Sequence, residues 1–320
     1  MAVKTVVVGF EPDAGLVERI EAVLNDGDAE VIVAGTEEEL EAVVGKADVL
    51  FGGVLSPDMI GKAGRLKWFQ TNSAGVENVA SPELADSGIT VTNMSGAHAT
   101  QISEHVLAMM LAFARDLPRA VRAQDDRNWI GTNVNTSELD GSVLAIAGLG
   151  DLGGALADKA KALGMTVLAT KMRVTTKPVS VDEVYGPEGL DEIIGRADFV
   201  ADTLPLTPNS RHTFARDQFR RMKPSAFFFN VGRGGTVNQD DLIAALQSGE
   251  IAGAGLDVME PEPLPADSPL WDMQNVILTY HSSGTSPKVF ERHYQIFLDN
   301  LDRFEQGWPL ANVVNVRAGY

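Results

Sequence analysis

Short apolar runs alternate with longer amphipathic segments along almost the whole chain. Residues 3–9 form an apolar run ending in glycine, and residues 29–34, 49–51, 66–70 and 90–92 continue the series. Between them, residues 14–24 and 37–44 carry apolar side chains at helical spacing. A long helix is predicted over residues 101–122, with Ile102, Val106, Leu107, Met110, Leu111 and Phe113 on its apolar side. Residues 124–140 show little periodicity. A second series opens with the wholly apolar strand at 142–147 and runs through 167–170, 199–202, 226–230, 253–257 and 276–279, with helices between, such as 240–248. A last helix is predicted over 287–306, then an extended piece at 313–315.

The alternation predicts an α/β chain of two Rossmann-like, doubly wound parallel-sheet domains separated by a cleft. The last helix follows the final strand of the second series. It has nothing of its own domain left to cover, and is expected to return to the first.

Composition narrows the classes. With 320 residues and 44% apolar side chains, two ordinary cores can be buried. No apolar run approaches the roughly 20 residues needed to span a bilayer, and the first residues, from Met1 and Ala2 on, read as a strand rather than a cleavable leader. Cysteine is absent, so disulfides, thiolate metal sites and a catalytic thiol are excluded. That suits a reducing cytoplasm. Acidic residues outnumber basic ones 44 to 26, a net charge of -18. Such a surface repels nucleic acid and anionic lipid. It serves solubility, or a high-salt cytoplasm in which excess carboxylates keep the protein hydrated. It also makes each cation near a candidate site informative.

Gly148-Leu149-Gly150-Asp151-Leu152-Gly153 follows the apolar strand at 142–147 and opens a helix, the context a dinucleotide-binding turn requires. Gly148 permits the tight turn, Gly150 lets backbone approach a pyrophosphate, and Gly153 allows close helix–strand contact. The helix start at Asp151 and Leu152 offers N–H groups and positive dipole to the phosphates. The next strand ends in Thr170-Lys171-Met172-Arg173, where a carboxylate would stand if the adenine ribose kept its 2'-hydroxyl. Lys171 and Arg173 would pair instead with a 2'-phosphate, so NADP(H) is expected over NAD(H).

Three more strands close on chemically pointed segments: Asn230-Val231-Gly232-Arg233-Gly234-Gly235, Gly255-Leu256-Asp257-Val258-Met259-Glu260-Pro261-Glu262-Pro263, and Leu278-Thr279-Tyr280-His281-Ser282-Ser283-Gly284. Carboxyl ends of parallel strands form the ligand crevice of a doubly wound sheet. Arg233, a Pro-fixed Glu and His281 are therefore expected to converge beside the nicotinamide. With Gly75-Val76-Glu77-Asn78, Ile102-Ser103-Glu104-His105 and Leu204-Pro205-Leu206-Thr207 in the same order, the chain resembles the D-isomer-specific 2-hydroxyacid dehydrogenases over nearly its full length.

The resemblance implies hydride transfer between NAD(P)H and a small 2-keto acid, giving a D-2-hydroxy acid. It implies that Arg233 binds the substrate carboxylate and polarises the keto oxygen. His281 would act as general acid in reduction and base in oxidation. Glu262, favoured over Glu260 by its spacing and the following Pro263, would hold the imidazole and support its charged form. Ala74 and Gly75 would offer backbone N–H groups to the carboxylate. Val231, through its carbonyl, and Asp257 would hold the carboxamide. Leu204 and Pro205 would flank the adenine, with Gly232 and Gly284 also at the cofactor. Residues 1–99 plus 287–320 would form the substrate domain and 100–286 the dinucleotide domain, with a hinge where they join. The long helix and residues 124–140 resemble a dimer-forming arm, implying a homodimer.

His98, His105, His212 and His293 are expected to be structural or exposed, and their spacing suggests no metal site. The family's usual Pro before the catalytic His is Tyr280 here. A dinucleotide sensor of the corepressor type, sharing the same residues without turnover, is the alternative to an enzyme.

Overall fold

The computed structural model describes every residue except Met1, Ala2, Ala14, Asn25, Asp26, Glu77, Asn78, Asn133, Thr176 and 318–320. The expected start of the first helix at Ala14, and Glu77-Asn78 of the segment that begins at Gly75, lie outside the described residues. The chain divides into two compact units, residues 1–98 with 286–320, and residues 99–285. Each boundary falls one residue earlier than the sequence reading placed it.

The first unit begins β1 (Thr5–Val8), α1 (Leu16–Val23), β2 (Glu30–Val33), α2 (Glu37–Val43), β3 (Val49–Phe51), α3 (Pro57–Lys62), β4 (Trp68–Gln70), α4 (Pro82–Asp86) and β5 (Thr90–Thr92). Its five strands pair in parallel in the order β2-β1-β3-β4-β5. Helix starts follow side-chain chemistry. Thr36 and Glu39 form a reciprocal capping box on α2, and Ser56 and Ser81 cap α3 and α4, each ahead of a proline in the first turn.

The second unit contains α5 (Ala99–Ala114), α6 (Leu117–Asp125), β6 (Val143–Ala147), α7 (Asp151–Ala162), β7 (Thr166–Thr170), β8 (Glu183–Tyr185), α8 (Leu190–Arg196), β9 (Phe199–Asp202), α9 (Arg216–Arg221), β10 (Phe227–Asn230), α10 (Gln239–Ser248), β11 (Gly253–Leu256) and β12 (Val276–Leu278). All seven strands are parallel, in the order β12-β11-β10-β9-β6-β7-β8. The order reverses between β6 and β9, the switch point at which such sheets bind ligands. Consecutive phenylalanines of β10 serve both faces of this buried sheet. Phe228 packs on Phe214, with ring centroids 4.9 Å apart, while Phe227 stacks on Phe113 at 4.7 Å.

The single long helix expected at 101–122 is two. Asp116 adopts a left-handed conformation (φ 54°) between α5 and α6, and Pro118 opens the first turn of the second. A proline lacks the N–H that would continue the ladder of the preceding helix.

The chain then returns to the first unit as α11 (Val289–Glu305). Phe297, fully buried, stacks on Phe51 at 4.1 Å and Trp68 at 5.3 Å. A buried polar chain runs beside it. Trp68 Nε1 donates to Thr92 Oγ1 at 2.7 Å, Thr92 Oγ1 donates to Gln70 Oε1 at 2.7 Å, and Asn300 Nδ2 donates to the same oxygen at 3.3 Å. The tail completes the sheet edge through an antiparallel bridge between Thr92 and Val313. Among the described residues, no helix is long and apolar enough to cross a membrane.

His293 on α11 is 7% exposed, with its Nε2 3.2 Å from Nε2 of His98. A hydrogen bond between two ring nitrogens needs one neutral acceptor. Burial first, and the charge of His98 second, hold the pKa of His293 down to about 4 from 6.5. Between these values the unfolded chain binds the proton that the folded chain refuses, so stability falls as pH drops from about 6.5 towards about 4. Urea unfolding at both ends of that window should show the wild type losing on the order of 2 kcal/mol more than His293→Gln. Equal losses in the two proteins would rule out this origin.

Candidate active site

The glycine turn leaves the carboxyl end of β6. Gly148 has φ +99°, a conformation in which an L side chain is strained. A Cβ on Gly153 would lie 2.4 Å from the carbonyl oxygen of Gly148, so the helix meets the turn with no room for a side chain. A Cβ on Gly150 would meet nothing within 4 Å: its outer face is open. Gly150 is also the N-cap of the 12-residue α7, and no side chain caps that helix start. Asp151 and Leu152 form its first turn, with Leu152 packed against the unit's core. This shape fits a pyrophosphate, which takes N–H groups and tolerates no intervening side chain.

The turn is tied to the end of β7, because Leu149 N donates to Thr170 O at 2.8 Å. Lys171 and Arg173 follow directly, the first half-buried and the second exposed. Lys171 N donates to Tyr185 O of β8, so this unforeseen edge strand fixes where the basic segment leaves the sheet. On the other side of the switch point, Leu204 and Pro205 follow β9. The Leu204 side chain lies 3.2 Å from where a Cβ of Gly148 would stand, and a Cβ on Gly232 would meet Leu204 O at 2.6 Å. The loops after β6, β9 and β10 therefore close upon one another through glycines.

The three candidate side chains come from three neighbouring strands. At the end of β10, Asn230 acts as a template. Its Oδ1 accepts from Gly232 N at 3.0 Å and its Nδ2 donates to Arg233 O at 3.1 Å. The turn so formed presents Arg233, whose Nη1 donates to Gly232 O at 2.8 Å. Among the described residues nothing donates to the Val231 carbonyl. After β11, Glu262 Oε1 accepts from Met259 N at 2.9 Å and Oε2 lies 2.8 Å from His281 Nδ1. A Cβ on Gly234 would sit 1.9 Å from Met259 O, so the Arg233 turn rests against the segment that holds Glu262. With strands about 4.8 Å apart, Arg233 at β10 and His281 beyond β12 belong to one end of one sheet.

Glu260 has a different role from Glu262. Arg211 Nη2 donates to both its oxygens at 3.0 Å, and His212 lies 3.8 Å away. A carboxylate only accepts, so the Glu262 contact places the ring proton of His281 on Nδ1 and leaves Nε2 as the working atom. His281 itself has φ +53°, held by its N–H bonded to Asp257 O at 2.8 Å.

Asp257, expected to hold a carboxamide, stands just beyond β11. Its carboxylate is fully buried and already accepts from Thr279 Oγ1 (2.5 Å), Ser282 N (3.0 Å), Ser283 N (3.1 Å) and Ser283 Oγ (2.5 Å). Two carboxylate oxygens offer about four acceptor positions, so another donor would have to displace one of these. Burial pushes its pKa up, but the Ser283 and Thr279 bonds outweigh burial and hold it below the ordinary value. His105, expected to be structural or exposed, joins the same cluster, with its Nε2 3.0 Å from Thr279 Oγ1. Gly284 O accepts from Gln101 Nε2 at 2.9 Å. Tyr280 is 78% exposed.

In the first unit, Ala74 and Gly75 lie in the loop after β4. Asn93 Nδ2 donates to Ala74 O at 2.7 Å and Ser73 Oγ to Gly75 O at 2.5 Å. Among the described residues no acceptor takes their own N–H groups.

Sequence reasoning missed Asn230, Thr279, Ser283 and His105. All four stood inside motifs already singled out, but as spacers.

Residues 107–283 match the family described as D-isomer specific 2-hydroxyacid dehydrogenase, NAD binding domain. The chain is 34% identical over 296 residues to a D-3-phosphoglycerate dehydrogenase of Methanocaldococcus jannaschii, covering 91% of this chain and 56% of that protein's length. A D-isomer specific 2-hydroxyacid dehydrogenase from Xanthobacter autotrophicus, solved with NADPH and MES, superposes with a TM-score of 0.86 at 30% identity, covering 100% of both chains. An NADPH-dependent glyoxylate/hydroxypyruvate reductase from Sinorhizobium meliloti, solved with NADP and sulfate, gives 0.83 at 30% identity, over 99% of this chain and 100% of that one. The chain therefore belongs to the D-isomer-specific 2-hydroxyacid dehydrogenases, a family of NAD(P)-dependent oxidoreductases.

Proposed function

We propose that the chain reduces a small 2-keto acid to its D-2-hydroxy acid with NADPH. The observation that carries this reading is the 2.8 Å contact between Glu262 and His281 Nδ1 at the sheet end that also presents Arg233. The bound nicotinamide supplies the hydride. Arg233 takes the substrate carboxylate with its planar fork. His281, protonated on both ring nitrogens, gives its Nε2 proton to the keto oxygen, while Glu262 keeps the Nδ1 proton in place and balances the positive charge of the ring. The N–H groups of Ala74 and Gly75 serve as carboxylate donors, and the Val231 carbonyl as an acceptor for the carboxamide. The Sinorhizobium relative makes glyoxylate and hydroxypyruvate the first acids to assay. A cysteine-free chain suits a cytoplasmic enzyme.

Arg233→Ala and His281→Ala should each lower kcat/KM by roughly 10²–10⁴ with unchanged melting. Near-normal turnover in either would overturn the assignment. Tight NADPH binding by the wild type with no turnover of any 2-keto acid would identify the dinucleotide sensor instead.

The preference for NADPH rests on Lys171 and Arg173 at the end of β7, neither of which meets a carboxylate partner among the described residues. Replacing both by Ala should raise the KM for NADPH by roughly 10- to 100-fold, as loss of charge-assisted bonds predicts, and leave that for NADH within about threefold. Parity of the two cofactors in the wild type would refute it.

Homodimer formation rests on the apolar surface of the arm. Leu117 and Val121 on α6 are 49% and 58% exposed, and Trp129 is 94% exposed. Light scattering should return twice the 34.2 kDa chain mass; a single-chain mass would exclude the dimer.

A further inference from the structure

Asp202, the last residue of β9, is wholly buried and has no part in the mechanism above. Its Oδ1 accepts from Leu204 N at 3.0 Å. Its Oδ2 lies 2.5 Å from Thr236 Oγ1, and the same Thr236 oxygen lies 2.6 Å from the carbonyl oxygen of Arg233. A threonine hydroxyl carries one proton. If Asp202 were ionised, that proton would go to one neighbour, and the other contact would press lone pair on lone pair at hydrogen-bond distance. Both contacts are bonds only when a second proton sits between Asp202 and Thr236. The order is then fixed: Asp202 O–H donates to Thr236 Oγ1, and Thr236 O–H donates to Arg233 O.

We propose that Asp202 is a positioning residue that keeps its proton in the working enzyme and, through Thr236, pins the backbone of the substrate-binding Arg233. The inference rests on the reading of Arg233 as the carboxylate anchor. Arg233 O is already held by Thr236 N at 3.2 Å and Asn230 Nδ2 at 3.1 Å, and the hydroxyl bond at 2.6 Å is the shortest of the three. When Asp202 ionises, the Thr236 proton turns to it, the bond to Arg233 O is lost, and the turn that aims the guanidinium loosens.

The surroundings favour the neutral form. Asp202 is flanked in the sheet by Ala147 of β6 and Asn230 of β10, neither charged. Of the charged groups on the elements around it, Asp198 at the start of β9 is bonded to Lys223, Arg233 Nη1 donates to Gly232 O, and Arg211 in the loop after β9 pairs with Glu260. Burial pushes the Asp202 carboxyl up to about 7, the Leu204 bond opposes it, and no charged group contributes.

The test is the KM for the 2-keto acid, with NADPH saturating, from about two pH units below that value to about two above. In the wild type it should rise roughly three- to tenfold as Asp202 loses its proton, the scale of one neutral hydrogen bond. Asp202→Asn donates to Thr236 at every pH, so its KM should stay within about twofold of the low-pH wild type with no step. Thr236→Val cuts the link without touching the carboxyl; it should hold a raised KM throughout, also with no step. Difference infrared spectra should show a protonated-carboxyl stretch in the wild type on the acid side, lost in Asp202→Asn. A KM step that survives in Asp202→Asn, a KM raised more than tenfold there at all pH, or no such band in the wild type would each overturn the proposal. The infrared band does not depend on what Arg233 binds, so failure of the anchor reading would show separately, as near-normal turnover in Arg233→Ala.

Discussion

A carboxylate wholly removed from water keeps its charge only if its neighbours replace the solvent, and in the second unit Asp257 is such a group. Two hydroxyls and two backbone N–H groups converge on it, all from the segment following β12. Bonds to an ionised acceptor are worth about 1.5–3 kcal/mol each, enough together to offset the desolvation of the charge. The geometry they impose is the larger consequence. Thr279, Ser282 and Ser283 are gathered to one point, Asp257 O takes the N–H of His281, and the imidazole is delivered to Glu262 from a left-handed backbone conformation. Without that anchor, a loop of small polar residues at a half-exposed edge strand would have little reason to adopt one shape.

Asp202 and Asp257 sit at the carboxyl ends of strands of the same sheet, both without solvent, with opposite tendencies. Asp257 has four donors and is held below its ordinary pKa, while Asp202 receives one, from Leu204 N, and is pushed up to about 7. Burial acts on both in the same direction. The count of donors decides the outcome, in line with the general rule that environment rather than residue type assigns charge states near reacting centres. An acidic protein of net charge -18 thus satisfies the acids at this sheet end through individual pairings: Glu260 with Arg211, Glu262 with His281, and Asp257 with its loop.

The architecture was readable because buried parallel strands are largely continuous apolar runs, and the inner strands of both sheets are such runs. The glycine turn and the order of the Arg, Glu and His segments were readable because each closes such a run. What escaped has a common cause. Strand β8 is three residues of Glu-Val-Tyr at a half-exposed edge, formed by pairing with β7 rather than by its own pattern. The break at Asp116 depends on one left-handed residue inside an otherwise helical periodicity. His105 and Thr279, 174 positions apart, meet only in three dimensions. Glu262, chosen over Glu260 from spacing, lies 2.8 Å from His281 Nδ1, whereas the arginine at position 211 that captures Glu260 has no local signature. That Asp257 gathers Thr279, Ser282 and Ser283 from its own chain has no local signature either.

The antiparallel bridge at Val313 has a bearing on how the protein survives in concentrated solution. Strand β5 ends the five-stranded sheet, and the tail lies along it, with Val314 N bonded to Val91 O and Asn93 N to Asn312 O. An open strand margin is a template for pairing with another chain. Proteolytic trimming that removed the tail from Asn312 onward would uncover that template while leaving the second unit intact, so the damaged product would be prone to clump long before it lost the residues of its chemistry.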